Sequence, residues 1–265
     1  MIVTLVYAAD EQMAMPLAAS IASAALNFRT ADACLDVVVI DGGLSVTSVG
    51  RLVPPSLDPA RSRVRVIAPP SINTQGIELH RYGVAALYRL ALPCLLPECR
   101  RAIYLDADTI VEHDLLELWD EANQGTPLLA RQDWMFPVMS HPFLRERCGG
   151  LGMEPEDPYF NSGVLVLDLE EWRVRQYGQR VLEFLRANSA HCPWPDQDAL
   201  NAVFRGRWKP LDARWNRYPA EVERLESAGI IHYIGGDAKP WLNPTDGRLA
   251  SLRFRHYLQA TNWAR

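Results

Sequence analysis

The sequence lacks the features that mark secreted and membrane-spanning proteins. Its five cysteines are odd in number and scattered, without a C-x-x-C pair, so they predict neither a disulfide framework nor a zinc site. We expect most of them to be buried, reduced thiols, as in a cytosolic protein. The longest apolar helix candidate, Met15 to Leu26, is too short to cross a bilayer. The five cysteines are Cys34, Cys94, Cys99, Cys148 and Cys192.

A strong excess of charge is also missing. The 27 basic and 32 acidic residues give a net charge of −5, which argues against nucleic acid as the main partner. No repeat, low-complexity tract or linker is visible, so residues 1–265 are predicted to form a single domain. A strand pattern already begins at Ile2, so we expect no signal peptide and a cytoplasmic location.

The chain does contain an alternation of strand and helix patterns. This rhythm predicts an α/β fold with a mostly parallel central sheet and helices on both faces. Residues 132–158, rich in proline and glycine, break the rhythm and are predicted to form a long irregular segment. The predicted strands are Ile2–Val6, Leu35–Ile40, Val64–Ile67, Arg101–Leu105, Val164–Leu169 and Ile230–Tyr233, and the predicted helices are Met13–Leu26, Val84–Leu96 (apart from Pro93), Glu170–Ala187 and Asp198–Phe204.

Carboxylates follow three of the predicted strands. Ligands of parallel sheets bind beyond the carboxyl ends of the strands, so we expect Asp10 and Asp106 to converge there. Asp41 precedes two glycines and is more typical of a turn.

Asp106-Ala107-Asp108 is the strongest single candidate site. In an extended chain, residues i and i+2 point to the same side, so both carboxylates would face one spot. Two like charges held that close favour a cation between them, and oxygen ligands suit a hard divalent ion. The same spacing also arises by chance, as in Asp196-Gln197-Asp198, which is predicted to open a helix with at least one carboxylate as its N-cap.

A histidine, a glycine pair and a lysine lie close together near the end of the chain. His232 ends an apolar run, Gly235-Gly236 marks a tight turn, and Lys239 follows. A lone histidine at a strand end is more often a satisfied polar residue than a ligand. Beside a two-carboxylate site, however, this set would suit a pyrophosphate, and an imidazole moves the metal preference from Mg²⁺ toward Mn²⁺.

Three further features have an ordinary and a functional interpretation. Phe160-Asn161-Ser162-Gly163 is most simply a polar turn, although an Asn amide could also contact a sugar hydroxyl. Arg89 would be a solvated surface charge in most proteins. Trp134 would offer an apolar ring face to a sugar if it does not pack in the core or at its rim.

Taken together, these motifs resemble glycosyltransferase family 8. The resemblance runs through nearly the whole chain, in the order of the motifs and in their spacing. Its strongest departure is the turn before Lys239, where Gly236-Asp237-Ala238 is one residue longer than in many members. The motifs are Val6-Tyr-Ala-Ala-Asp10, Tyr88-Arg-Leu90, Tyr104-Leu-Asp-Ala-Asp108, Phe160-Asn-Ser-Gly-Val164, Asp196-Gln-Asp198, His232-Tyr-Ile-Gly235 and Lys239-Pro-Trp241.

The resemblance implies an A-type nucleotide-diphosphosugar transferase fold, a divalent ion and retention of anomeric configuration. It implies Mn²⁺ as the usual ion, with Mg²⁺ as the alternative. The implied metal ligands are Asp106, Asp108 and His232. The implied donor-binding residues are Ala8, Asp10 and Gln12 at the uridine, Arg89, Asp133 and Asn161 at the sugar, Gly235 and Lys239 at the diphosphate, and Ala107. Gln197 is implied beneath the anomeric carbon, with Asp196 beside it as the second catalytic residue.

The sequence therefore predicts a retaining hexosyltransferase that uses a UDP-sugar, with galactose or glucose transferred to a saccharide or lipid-linked acceptor, as in lipopolysaccharide biosynthesis. A peripheral contact with the inner face of a membrane remains open, without a transmembrane segment. Two rivals are a nucleotidyltransferase of similar fold and a catalytically silent sugar-nucleotide binding module. A nucleotidyltransferase would need a Gly-rich, basic phosphate-binding loop after the first strand, and Ala8-Ala-Asp-Glu-Gln12 is not such a loop.

Overall fold

The computed structural model describes residues 1–80, 82–121, 125–222, 228–235 and 239–264. It is a mixed α/β protein with a seven-stranded, mostly parallel central sheet, which confirms the predicted fold class. The chain divides into two compact units. The first unit comprises Met1–Ala68, Ile103–Ala122 and Asp212–Arg265, and the second comprises Pro69–Ala102 and Asn123–Leu211.

The elements alternate along the chain. The strands are β1 (Ile2–Ala9), β2 (Cys34–Asp41), β3 (Ser62–Ile67), β4 (Arg101–Leu105), β5 (Thr109–Val111), β6 (Leu128–Gln132), β7 (Phe160–Asp168), β8 (Trp208–Pro210) and β9 (Ile230–His232). The α-helices are α1 (Ala14–Asn27), α2 (Val46–Arg51), α3 (Leu92–Leu95), α4 (Leu115–Asp120), α5 (Cys148–Leu151), α6 (Leu169–Arg175), α7 (Tyr177–Asn188), α8 (Pro195–Val203) and α9 (Leu249–Gln259).

Parallel strands form the centre of the first unit, in the order β3-β2-β1-β4. Ile2 lies opposite Cys34 and the register continues to Ala9 opposite Asp41. These strands are nearly continuous runs of Val, Ile and Leu, as expected for parallel strands that are buried on both faces. The carboxyl ends of β1 and β4 therefore open at the same edge, since Leu5 pairs with Ile103 in parallel.

A short antiparallel ribbon, β5 with β9, completes the first unit. Thr109 pairs with His232, which brings the end of β9 beside the turn that follows β4. The ribbon rests on an apolar cluster that includes Ile110, Ile231 and Tyr233, with Phe254 from α9. The Tyr233 hydroxyl is also tied down, because it donates to the Ala250 carbonyl at 2.6 Å. Burial of these side chains holds the histidine's strand in place.

The second unit holds β7, β6 and β8 in that order, with β7 antiparallel to β6. Strand β7 begins at Phe160, four residues earlier than predicted. The prediction of a polar turn at Phe160-Asn161-Ser162-Gly163 is therefore wrong. Asn161 and Ser162 are buried strand residues, 7% and 5% exposed, whose polar groups are satisfied by partners from a neighbouring helix.

Three predicted helices differ from the observed ones. The helix predicted over residues 170–187 is two helices, because Gln176 adopts a left-handed conformation with φ 52° between α6 and α7. The helix predicted over 84–96 is a 3-10 helix, Val84–Ala91, followed by α3, with Pro93 in the first turn, where its missing N–H costs no hydrogen bond. Helix α8 begins at Pro195, three residues before the predicted start.

The thiols are free, as expected, but the expected burial is wrong for most of them. Of the five cysteines Cys192 is buried, whereas Cys34 and Cys94 are exposed. Among the described residues, no helix combines the length and apolar character that crossing a bilayer requires.

Gly178, on α7, lies against the backbone of the 3-10 helix that contains Arg89. A Cβ at this position would overlap the carbonyl oxygen of Leu90, next to Arg89. Backbone cannot move aside as a flexible side chain can, so Gly178→Ala should destabilise the protein by about 1–3 kcal/mol, the usual cost of overpacking. Urea unfolding would measure it. Gly149→Ala, on α5 with open space around its Cβ, is the matched control and should be neutral or stabilising. Equal stability of the two variants would contradict the close approach.

Candidate functional site

The two carboxylates that follow β4 converge on one histidine. Asp106 lies just past the strand and Ala107-Asp108 form a turn, so the predicted extended geometry is wrong although the convergence is found. His232 Nε2 lies 3.7 Å from Asp106 Oδ2 and 3.3 Å from Asp108 Oδ1. The ligand atoms of these three residues all lie within 4.8 Å of one another. Two carboxylate oxygens and one imidazole nitrogen are a donor set that could hold a divalent metal ion.

Backbone and side-chain hydrogen bonds hold both halves of this group. The Thr109 hydroxyl donates to the Asp106 carbonyl at 2.9 Å, and the Tyr233 N–H donates to the Asp108 carbonyl at 2.9 Å. His232 is 3% exposed, and its Nδ1 lies 2.9 Å from Asn216 Oδ1. The contact at Nδ1 therefore holds the ring in place, with Nε2 directed at the carboxylates.

Positive charge is concentrated at Asp108. The Lys239 ammonium group contacts Asp108 Oδ2, so the lysine reaches the site despite the longer turn before it. Burial acts to raise the pKa of the Asp108 carboxyl, but His232 and Lys239 outweigh it and hold that pKa well below its usual range. The carboxylate is thus ionised and available to a cation at neutral pH. Residues 236–238, the turn with one extra residue, lie outside the described residues.

The predicted uridine-contact residues lie at the end of β1 and just beyond it. Ala8 is in the strand, whereas Asp10 caps the short 3-10 helix Glu11–Met13 by accepting from the N–H groups of Gln12 and Met13. The convergence of Asp10 with Asp106 stays a prediction. Asp41 forms the expected turn, because its Oδ1 accepts from the Gly43 and Leu44 N–H groups.

Glu11 was not predicted from the sequence to have a role, yet it braces this region. Its carboxylate accepts from the Ser45 N–H at 2.7 Å and from the Ser48 hydroxyl at 2.7 Å. These bonds, led by the one from the Ser45 N–H, lower the pKa of the Glu11 carboxyl. Glu11 therefore ties the loop after β1 to the loop after β2.

A second polar group lies in the second unit, around a buried ion pair. Arg89 is 4% exposed, not a surface charge, and its guanidinium lies 3.3 Å from Asp196 Oδ2. The same guanidinium donates to the Ser162 carbonyl at 2.6 Å. The Ser162 hydroxyl in turn donates to Asp196 at 3.1 Å. Asp196 is therefore a buried carboxylate whose charge is offset, which is how such groups persist in a protein interior.

Gln197 is held by β7. Its Oε1 accepts from the Asn161 amide at 3.1 Å and from the Ser162 N–H at 3.0 Å. Its Nε2 donates to the Tyr159 hydroxyl at 3.3 Å. The side chain is thus oriented at both ends, and the structure brings together Arg89, Asn161, Asp196 and Gln197, four of the predicted residues.

Tyr159 and Asp198 form a support that sequence reasoning missed. The Tyr159 hydroxyl donates to Asp198 Oδ1 at 2.6 Å, and the Trp194 N–H donates to Oδ2 at 2.8 Å. Burial raises the pKa of Asp198 to about 6, against opposing contributions from these two donors and from Arg147. Neither Asp196 nor Asp198 caps α8, whose N-cap is Trp194 without a side-chain bond, so that prediction is wrong. The sequence Pro193-Trp194-Pro195 could have indicated this, because a helix that begins at Pro195 contains both carboxylates.

One of the predicted donor-binding residues, Asp133, lies at the start of the irregular segment after β6. Asp133 is 3% exposed, and its Oδ1 accepts from the Met135 and Phe136 N–H groups, which shapes the start of the segment. Trp134, the predicted sugar platform, is 49% exposed. Further along, Phe136 and Phe143 stack at 5.2 Å.

Comparison with known proteins places the chain in a family. Residues 4–245 match the profile of glycosyl transferase family 8. General stress protein A of Bacillus subtilis is 28% identical over 245 residues, which cover 85% of this chain and 82% of that protein. A putative glycosyltransferase of Haemophilus influenzae is 26% identical over 162 residues. This match covers 58% of this chain and 48% of the relative.

Solved structures share the fold. The galactosyltransferase LgtC, crystallised with donor and acceptor sugar analogues, has a TM-score of 0.80 at 23% identity, over 98% of this chain and 96% of its own. Mouse xyloside xylosyltransferase 1 has a TM-score of 0.65 at 19% identity, over 91% and 99% of the two chains. These likenesses establish the A-type architecture, and the profile match over residues 4–245 establishes the family. The chain belongs to glycosyl transferase family 8.

Proposed function

We propose that the chain is a metal-dependent, retaining hexosyltransferase that moves galactose or glucose from a UDP-sugar to an acceptor hydroxyl. The observation that carries the proposal is the convergence of Asp106, Asp108 and His232 in a family 8 glycosyltransferase. The proposed acceptor is a saccharide or a lipid-linked saccharide. The name of LgtC as a galactosyltransferase supports galactose as one of the two donor sugars.

The residues present fit a divalent ion of the Mn²⁺ type. Asp106 and Asp108 supply hard oxygen ligands and His232 supplies one borderline nitrogen, all within 4.8 Å. An ion bound there would offset the charge that develops on the departing UDP, replacing proton donation to the leaving group. Lys239, already paired with Asp108, would lie near the same diphosphate.

The remaining donor contacts are proposed from the family resemblance, and the positions of these residues in the fold support them. Ala8, Asp10 and Gln12, at and just beyond the end of β1, are proposed to face the uridine. Gly235 is proposed to let backbone approach the diphosphate, together with Ala107. Its φ of 82° and the open space around its Cβ position suit that role. Arg89, Asp133 and Asn161 are proposed to contact the sugar.

The contacts of Gln197 and Asp196 favour same-face attack over double displacement. Gln197 Oε1 already accepts hydrogen bonds from Asn161 and Ser162 of β7, which reduces its nucleophilicity. Asp196 is neutralised by Arg89. In the proposed reaction the acceptor oxygen forms its bond to C1 on the face from which UDP leaves. The leaving phosphate takes the acceptor's proton, and Gln197 and Asp196 stabilise the oxocarbenium-like ring.

The two rival functions are less well supported. A nucleotidyltransferase is disfavoured by the family match across residues 4–245. A silent binding module is disfavoured because all three candidate ligands of the metal group are present and converge. Hydrolysis of a UDP-sugar in the presence of Mn²⁺ would separate an enzyme from a binder.

The first functional prediction concerns ligand-induced stabilisation. UDP with Mn²⁺ should raise the melting temperature, because a ligand at about 100 times its Kd adds roughly 2.7 kcal/mol to the free energy of unfolding. EDTA should reverse the shift, and GDP should give little. Asp108→Asn should abolish both the shift and UDP-sugar turnover, since a neutral amide cannot offset the cation's charge.

Asp41→Asn is the matched control for that experiment. It also changes a carboxylate at the end of a strand, but its Oδ1 only caps a turn, which the amide oxygen can still do. It should respond to UDP and Mn²⁺ as the wild type does. A full shift in Asp108→Asn, or an equal shift with GDP, would contradict the proposed donor site.

The second functional prediction concerns the sugar chemistry. Gln197→Ala should lower kcat by roughly 10–10³-fold with little change in donor affinity, because the interaction is made mainly in the transition state. An obligatory nucleophile would lose far more. NMR of the first-formed product should show the donor's α configuration retained. A β-linked product would contradict the proposed retaining mechanism.

A further inference from the structure

We propose that Asn216 is a positioning residue that fixes the tautomer of His232, so that the lone pair of Nε2 faces the metal site. The inference deepens the proposed function and rests on it for the identity of the metal group. Nothing in the family comparison assigns a role to this asparagine. It follows from one buried hydrogen bond and from the groups on the other side of the ring.

The bond itself decides which nitrogen carries the proton. Asn216 Oδ1 lies 2.9 Å from His232 Nδ1, and the two residues are 0% and 3% exposed. An amide oxygen can only accept a hydrogen bond, so Nδ1 must be the donor. A histidine binds a metal as the neutral imidazole, and in that form hydrogen on Nδ1 leaves the lone pair on Nε2.

That lone pair points to the place where a cation is favoured. His232 Nε2 lies 3.3 Å from Asp108 Oδ1 and 3.7 Å from Asp106 Oδ2. The opposite tautomer would direct an N–H at the carboxylates and could not bind a metal through Nε2. An amide acceptor at Nδ1 therefore selects the metal-binding form of the ring. Such partners behind a ligating histidine usually set its orientation and its basicity.

The backbone around Asn216 is built to keep this contact. Asn216 ends the 3-10 helix Ala213–Asn216, whose N-cap Asp212 accepts from the Arg214 N–H at 2.8 Å. The next residue, Arg217, donates its N–H to the Ile230 carbonyl at 2.9 Å and accepts from the His232 N–H at 2.8 Å. The asparagine and the histidine are thus locked on two segments that hydrogen-bond to each other.

The bland alternative is that a buried asparagine merely satisfies its own hydrogen-bonding groups. The two interpretations differ in what happens to metal affinity when the acceptor is removed. Titration with MnCl₂ alone, followed by the electron paramagnetic resonance signal of the free ion, measures that affinity without a sugar nucleotide. Melting temperature, recorded for each variant, reports on stability separately.

Asn216→Leu removes the acceptor and should weaken Mn²⁺ binding by about 10–100-fold, the usual effect of losing such a partner. Asn216→Asp keeps an oxygen acceptor and should hold the affinity within about threefold of the wild type, even if the protein is less stable. If Asn216→Leu fails to fold, Asn216→Asp keeps the test decisive. A folded Asp variant that binds Mn²⁺ about tenfold more weakly would overturn the proposal.

Asn27→Leu is the matched control. Asn27 is another buried asparagine of the first unit, and its amide donates to the Val111 carbonyl at 3.0 Å and to the Tyr257 hydroxyl at 2.8 Å. Its loss should lower stability without changing Mn²⁺ affinity. If this variant weakens Mn²⁺ binding as much as Asn216→Leu does, the effect is general destabilisation and the proposal is overturned.

The same Mn²⁺ titration distinguishes failure of the proposed metal-dependent function from failure of the proposed role of Asn216. A wild-type protein that binds no Mn²⁺ would remove the proposed metal-dependent function, and the inference with it. A wild type that binds Mn²⁺, beside an Asn216→Leu variant that binds it equally well, would overturn the inference alone.

Discussion

The electrostatics of two neighbouring carboxylates govern the first unit. Asp106 and Asp108 are held close by a turn, and two like charges at this separation persist only beside positive charge. Lys239 supplies this charge at Asp108, and Nε2 of His232 faces both carboxylates. The β5–β9 ribbon, its apolar support and the hydrogen bond from Nδ1 of His232 to Asn216 all keep these groups in register. This donor set could hold a divalent ion.

The second unit handles its charges differently. Arg89 and Asp196 form a buried pair, so neither presents a bare charge, and the amide of Gln197 is engaged at both ends. The buried Tyr159 hydroxyl donates to Asp198, a buried carboxylate in the first turn of α8. Groups that are already satisfied are poor nucleophiles but good fixed dipoles, which suits the stabilisation of a positive sugar ring.

The parts of the fold that the sequence predicted well are long and uniform. Strands β1, β2 and β4 are apolar runs bounded by carboxylates or turns, and helix α1 begins and ends within one residue of its prediction. The elements that the sequence did not predict are short, or they depend on residues outside the local segment. Strand β5 has three residues, too few for a period to appear. The break at Gln176 was not predicted, because a residue other than glycine rarely adopts the left-handed conformation that it has here.

The family and the order of the motifs could be read from the sequence, because they depend on residue identity and spacing. How the groups meet in space depends on the folded chain. Asp106 and His232 are 126 positions apart, and their convergence depends on the pairing of β5 with β9. The burial of Arg89, the turn geometry at Asp108 and the orientation of His232 by Asn216 likewise arise from contacts between distant segments. Local sequence cannot encode such contacts, because each partner's environment is supplied by a different part of the chain.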